Sequence, residues 1–324
     1  MIGAGPVGLY ALYYAGLRNV KVKLLEALDE AGGGLKVLYP EKYIYDVAGF
    51  PQVLAKDLVN EFEKQARAYE NPILFNQRVQ DIKRRDDDII ELVTETDTHY
   101  TKTAIICAGM GAFIPRKLDI PDLEKYEELG VFYYIKDSSL FKDKNVLIVG
   151  GGDSAVDNAL MLEPIAKHVI MIHRNDRFRA HENSLEQLKN SSVELHYPFW
   201  EVKEIHGEDW VNAVTAVNTF EGKEMRFEID MLILNLGFLT NLKPLRKWGL
   251  ELEMNAIKVD ERMRTNIPGV FAAGDIVTHP GKLKLISTGT GEAAIAVNNA
   301  VHFIDPSSQV EPGHSSHIGK SPKE

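Results

Sequence analysis

The sequence predicts an α/β fold of two nested three-layer ββα domains, the second inserted into the first. Three observations carry this. A glycine turn, Gly3-Ala-Gly-Pro-Val-Gly8, opens the chain, and a second, Gly150-Gly-Gly-Asp-Ser-Ala155, stands near its middle. The distance from Gly3 to Glu26 equals that from Gly150 to His173, 23 positions in each case (26 − 3 and 173 − 150). Beyond the second copy, the apolar run Val270-Phe-Ala-Ala273 ends in Gly274-Asp275 and returns the chain to the first sheet.

In a G-x-G-x-x-G turn the first glycine permits the tight bend and the second lets backbone approach a pyrophosphate. The third lets the following helix pack closely. The helix expected over Pro6 to Gly16 aims its N–H groups and positive dipole end at the phosphates. Val20 to Leu25 reads as a strand ending at Glu26, where a carboxylate accepts hydrogen bonds from a ribose 2′-OH. Only Met1 and Ile2 precede Gly3, against about five residues for an ordinary strand, so the strand feeding this turn is expected to be trimmed or shortened.

The second copy uses the same parts. Asn145 to Val149 is a buried-type strand. A helix opened by Gly150, Gly152, Asp153 and Ser154 runs to about Leu162, and His168 to Ile172 is the next strand. It ends in His173-Arg-Asn-Asp-Arg-Phe-Arg179. The shared register sets acidic Glu26 against basic His173, Arg174 and Arg179. A carboxylate suits a free ribose and repels a 2′-phosphate, whereas guanidinium groups attract one. Both domains thus read as Rossmann-like dinucleotide sites, the first for FAD and the second for NADPH.

Between and after these copies, residues 28–50 form a long irregular loop rich in glycine and tyrosine, of the length that is usually functional. Ala55 to Tyr69 has helical periodicity, residues 77–97 a β-meander pattern, and Thr103 to Ala108 the character of a buried strand. Residues 193–230 read as a second meander and Met231 to Leu234 as a closing strand. A helix is expected from about Gly289 to Ile304, followed by a polar tail. The expected division is residues 1–112 and 241–324 for the FAD-binding domain, with the tail at 306–324, and residues 113–240 for the NADPH-binding domain.

Composition narrows the function. A net charge of −10 argues against nucleic acid as a partner. No apolar run reaches the ~18 residues of a membrane helix and no secretory signal opens the chain, so no membrane partner and a cytoplasmic location are expected. Cys107 is the one cysteine, which leaves no cysteine pair for a redox disulfide and no cysteine-rich metal site. The histidines lack metal-ligand spacing, so no metal is expected. Lys282 and Lys284 read as solvated surface or as a docking patch for an acidic protein.

Several blocks together resemble the thioredoxin-reductase-like ferredoxin/flavodoxin–NADP reductases of bacteria. They are the first glycine turn, Leu38-Tyr-Pro-Glu-Lys-Tyr-Ile-Tyr-Asp-Val-Ala-Gly-Phe-Pro51, Gly150-Gly-Gly-Asp-Ser-Ala-Val-Asp157, Met161-Leu-Glu-Pro-Ile-Ala-Lys167, Phe178-Arg-Ala-His-Glu182, Ala272-Ala-Gly-Asp275 and Val297-Asn-Asn-Ala300. The resemblance implies that Tyr39 stacks on one isoalloxazine face and His314 covers the other, with Ser315 or Ser316 near the ring. It also implies that Val79 and Phe113 line FAD, that Asp275 hydrogen-bonds its chain, and that the tail crosses to the partner in a homodimer. Ferredoxin or flavodoxin would be the electron carrier. Four positions depart from the family pattern: Gly34 replaces a glutamine near the flavin, and Asn175 an arginine in His-Arg-Arg. Asn158 replaces a tryptophan, and Thr290 a phenylalanine. The loss at 175 keeps NADH possible beside NADPH. The rival readings are a non-enzymatic dinucleotide-binding redox sensor and a diaphorase acting on small acceptors.

Overall fold

The computed structural model describes residues 1–109, 111, 113–240 and 243–314, without the side chains at 113, 114, 238–240, 243 and 244. The chain divides into two compact units, Met1–Phe113 with the chain from Thr240 onward, and Ile114–Leu239. Its helices are α1 (Pro6–Leu17), α2 (Gly33–Leu38), α3 (Ala55–Ala66), α4 (Asp153–Leu162), α5 (Glu182–Lys189), α6 (Lys243–Lys247) and α7 (Ile286–Ile304).

In the first unit, Leu24–Leu25 pairs parallel with Ile73–Leu74, and Ala104–Ile106 with Val270–Ala272. Ile2 joins the two pairs, bridging to Leu25 on one side and Ile106 on the other. The part of this strand that the sequence holds is therefore a single bridge residue at the middle of the sheet. Backbone bonds fix it there: Cys107 donates to the Ile2 carbonyl, and Gly3 donates to the Leu25 carbonyl. Leu9 and Leu12 of α1 share one buried cluster with Ala293, Ala296, Val297 and Ala300 of α7. Small residues on both helices allow the close approach. The meander extends to three antiparallel strands, Val79–Arg84, Ile90–Thr94 and Thr98–Thr101.

The segment 28–50 is less irregular than its composition suggests. It holds α2, and Tyr43–Ile44 pairs antiparallel with Val53–Leu54.

The second unit has a five-stranded parallel sheet in the order Val131–Phe132, Met231–Leu234, Asn145–Val149, His168–Ile172, Glu194–His196. Alternation along its strands builds three layers. Leu147, Val149, Ile170, Ile172, Leu232 and Leu234 face an antiparallel meander of Trp200–Gly207, Val211–Asn218 and Glu224–Glu228. Val146, Ile148, Val169, Met171 and Ile233 pack with residues of α4 and α5. Glu194–His196, expected as part of the meander, instead extends the parallel sheet beside His168–Ile172. The reason is α5, which supplies the crossover that a parallel neighbour requires.

Candidate functional site: two glycine turns

Sterics set the shape of the first turn. A side chain built at Gly3 would come within 2.6 Å of the Cys107 carbonyl oxygen, and one at Gly8 within 1.8 Å of the Gly3 carbonyl oxygen. Nothing lies within 4 Å of a side chain built at Gly5, so the middle glycine faces open space. Glu26 closes the turn from the next strand. It is buried, and its carboxylate accepts from Ala4 N at 2.6 Å and from Leu28 N at 2.9 Å.

Other segments converge on the same place. Gly32 N donates to the Ala4 carbonyl, which seats α2, and with it Gly34, against the turn. Gln77 N donates to the Glu26 carbonyl and brings in the start of the meander, where Val79 is buried in the core. A side chain built at Gly274 would meet Val7 of α1 at 3.2 Å, so the Gly274–Asp275 turn lies beside the start of that helix. Burial pushes the Asp275 carboxyl above the usual range, and the Lys282 and Lys284 charges pull it back.

A polar cluster behind Asp275 escaped the sequence reading. Glu292 of α7, only 4% exposed, accepts from Gly274 N at 2.8 Å. Lys282 Nζ lies 2.7 Å from both of its oxygens, and His279 Nε2 lies 3.0 Å from one of them. The Lys282 side chain is 7% exposed. Lys282 is therefore neither solvated surface nor part of a docking patch, because a buried ammonium must stay with its carboxylate.

At the second turn the same positions carry different groups. A side chain built at Gly150 would meet the Asn235 carbonyl oxygen at 2.6 Å, while one at Gly152 would meet nothing within 4 Å. His173 takes the place of Glu26, and its ring lies over Gly151, where a side chain would fall 2.2 Å from it. The ring is buried, with Nε2 3.1 Å from the Arg177 carbonyl and Phe178 packed beside it. Burial lowers the proton affinity of His173, and Arg174 and Arg179 lower it further. The expected basic group is thus a ring that favours its neutral form, and the positive charge here belongs to the arginines.

Arg179 N donates to the Gly151 carbonyl at 2.7 Å, and His181 N to Asp153 Oδ1 at 2.9 Å. Arg179 and Asp153 line a cleft of about 490 Å³ with residues 180–183. Ser154 lies in the first turn of α4. Arg174 is exposed, its Nη1 3.8 Å from Glu201. Asn158, the residue that stands where the family pattern has a tryptophan, donates to Asn235 Oδ1 at 2.9 Å and so links α4 to the end of the Met231–Leu234 strand beside this turn.

The residues expected to meet the flavin are placed less completely. Tyr39 caps the C-terminus of α2, half-buried, with Lys42 Nζ 5.7 Å from its ring centroid. His314 is exposed. The tail leading to it is tied down at its start, where Arg18 donates to the Gln309 carbonyl and His302 meets the Ser308 carbonyl. Ser315 and Ser316, and the Phe113 side chain, lie outside the described residues. Among the described residues no cluster could hold a metal ion, and no helix is long and apolar enough to cross a membrane.

Comparison with known proteins agrees with this layout. Residues 1–298 match the pyridine nucleotide-disulphide oxidoreductase family. The chain is 50% identical to ferredoxin--NADP reductase 2 of Shouchella clausii, over 98% of its own length and 96% of that protein. It is 49% identical, with the same coverage, to ferredoxin--NADP reductase of Geobacillus kaustophilus. In structure it is similar to Lactococcus lactis thioredoxin reductase in its FR conformation, with TM-score 0.78 and 29% identity over 94% of this chain and 97% of that one. The chain therefore belongs to the pyridine nucleotide-disulphide oxidoreductase family and, within it, to the group of the ferredoxin--NADP reductases.

Proposed function

We propose that this chain is an FAD-dependent oxidoreductase that passes electrons between NADPH and a ferredoxin or flavodoxin. The observation that carries the reading is the pair of glycine turns, alike in backbone and opposite in charge. Each has a middle glycine open to a ligand, one beside a buried carboxylate and the other beside arginines. That is the fit two different dinucleotides require. The relatives' names supply NADP and ferredoxin, and the lack of a cysteine pair sets this chain apart from a dithiol reductase.

When bound, FAD supplies the redox chemistry, taking a hydride from NADPH and releasing electrons singly. The chain's own residues bind and orient. Gly3, Gly5 and Gly8 admit the FAD pyrophosphate, Glu26 holds the adenosine ribose, and Asp275 accepts from the chain between phosphate and ring. Val79 and Phe113 line the flavin, and Gly34 leaves its neighbourhood without the donor that a glutamine would give. Tyr39 offers a planar face to the ring. His314, Ser315 and Ser316 close the other face from the partner's tail in a homodimer. Gly150, Gly152, Asp153 and Ser154 receive the NADPH pyrophosphate, while Arg174 and Arg179 take its 2′-phosphate and His173 shapes the turn. NADH is the weaker donor. No side chain acts as a nucleophile; the contribution of the protein is proximity and orientation. The compartment is the cytoplasm, where NADPH and such carriers occur.

The test is anaerobic reduction of the FAD-loaded protein by NADPH and NADH separately, followed by ferredoxin or flavodoxin. Bleaching by NADPH and recovery on adding the carrier are expected. A protein that gains no visible absorbance with FAD sinks the reading.

A further inference from the structure

The buried pair of Lys282 and Glu292 is an expensive way to hold a fold together. Replacing such a pair with apolar residues is often neutral or stabilising, so its place calls for another reason. Glu292 does one thing beyond pairing: its Oε2 accepts the Gly274 N–H, fixing the Ala273–Gly274 peptide that opens the turn carrying Asp275. Gly274 has φ +88° and is wedged between Val7 of α1 and Gly289 of α7. Lys282 reaches back from the loop after this turn to both oxygens of Glu292, and His279 supports one of them. Loop, turn and helix are thereby locked through one carboxylate. Without the ammonium, Glu292 keeps only the His279 ring and the Gly274 N–H as partners, and a buried carboxylate so thinly paired is drawn toward water. That movement weakens its hold on Gly274.

We propose that Lys282 is a positioning residue: through Glu292 it fixes the Gly274–Asp275 turn beside the start of α1, and so sets how tightly the flavin chain is held. The second half rests on the reading that the first unit binds FAD; the first half does not.

The experiment compares full-length wild type with K282R, K282M and the double variant K282M/E292M. It reads amide exchange of a peptide spanning residues 272–278 without FAD, FAD affinity by flavin fluorescence, and Tm. K282M should exchange and release flavin at least ~tenfold more readily, because a charge-assisted hydrogen bond is weakened. K282R should restore both. The double variant should regain the wild-type Tm and still show fast exchange and weak flavin binding. A double variant with wild-type exchange and affinity overturns the proposal, since the pair would then be merely structural. Should that variant not fold, E292Q is read at the same peptide: fast exchange supports the proposal and unchanged exchange refutes it. If wild type binds no FAD, the functional reading falls, while the exchange data still decide whether Lys282 holds the turn.

Discussion

The two glycine turns share a backbone and differ in almost everything that touches it. In the first, the third small residue must be glycine, because the Gly3 carbonyl occupies the space a methyl would need. In the second, Ala155 stands at that position and is fully buried. The first turn is braced by a carboxylate that accepts backbone N–H groups; the second is covered by a flat ring lying on Gly151. Beneath the first lies the Cys107 carbonyl, and beneath the second that of Asn235. On the proposed function, the backbone of the motif sets where a phosphate can come, and the residues at the end of the neighbouring strand set which nucleotide is tolerated.

The largest contrast concerns the group under each turn. Burial pushes the Cys107 thiol from an ordinary value of 9.0 up to about 12, so its thiolate is suppressed roughly a thousandfold. Labelling of the native protein with a thiol reagent at pH 8 should be slower than that of the urea-unfolded protein by about this factor. Comparable rates would show that the first turn opens readily. Next comes the exchange of third residues. Gly8→Ala forces a backbone shift and should cost about 3 kcal/mol or more, visible as a Tm lower by roughly 6–12 °C and as loss of flavin. Ala155→Gly should cost only about 0.5–1 kcal/mol. Equal costs would erase the distinction between the turns.

The arginines give a smaller effect. Arg179→Gln should raise KM for NADPH about tenfold to a hundredfold, the ~1.5–3 kcal/mol of one charge-assisted contact, and leave KM for NADH unchanged. Arg174→Gln should do less, because that side chain is exposed and already faces Glu201. Smallest is the pH response of the second turn. His173 is held neutral, below its ordinary value, chiefly by burial. Stability from this site is therefore complete above the ordinary imidazole value of about 6.5 and is lost as the pH falls through the lower folded value. His173→Phe keeps a ring over Gly151 and should flatten the decline in Tm between pH 7 and 5; an unchanged decline would acquit His173.

How much of this was legible depends on strand length and on how far apart interacting residues lie. In the second unit, Asn145–Val149, His168–Ile172 and Met231–Leu234 are continuous apolar runs buried on both faces, and the sequence marks their ends. In the first unit the run from Val20 pairs only at Leu24–Leu25, because the alternating lysines before it remain outside the ladder. The place of Glu26 beside the first turn was readable because a strand end after a glycine turn comes back to that turn. Glu292 was not, since its partners sit on a turn and a loop, and an acid on the inner side of α7 resembles a surface residue until the fold surrounds it. Lys282 was misread for the same reason. Spacing places His173 at the strand end but does not tell that its ring favours the neutral form, because desolvation is a property of packing and spacing does not encode it.

One consequence of the nested connectivity concerns synthesis on the ribosome. Val270–Ala272 is the only described strand seen to flank Ala104–Ile106 on the side away from Ile2, and it is translated after the entire insert. The nascent amino-terminal segment must therefore wait with an open sheet edge, whereas the insert has all five of its parallel strands once Leu234 has emerged. Because chain segments fold as units during translation, the middle of the polypeptide is equipped to fold before its beginning.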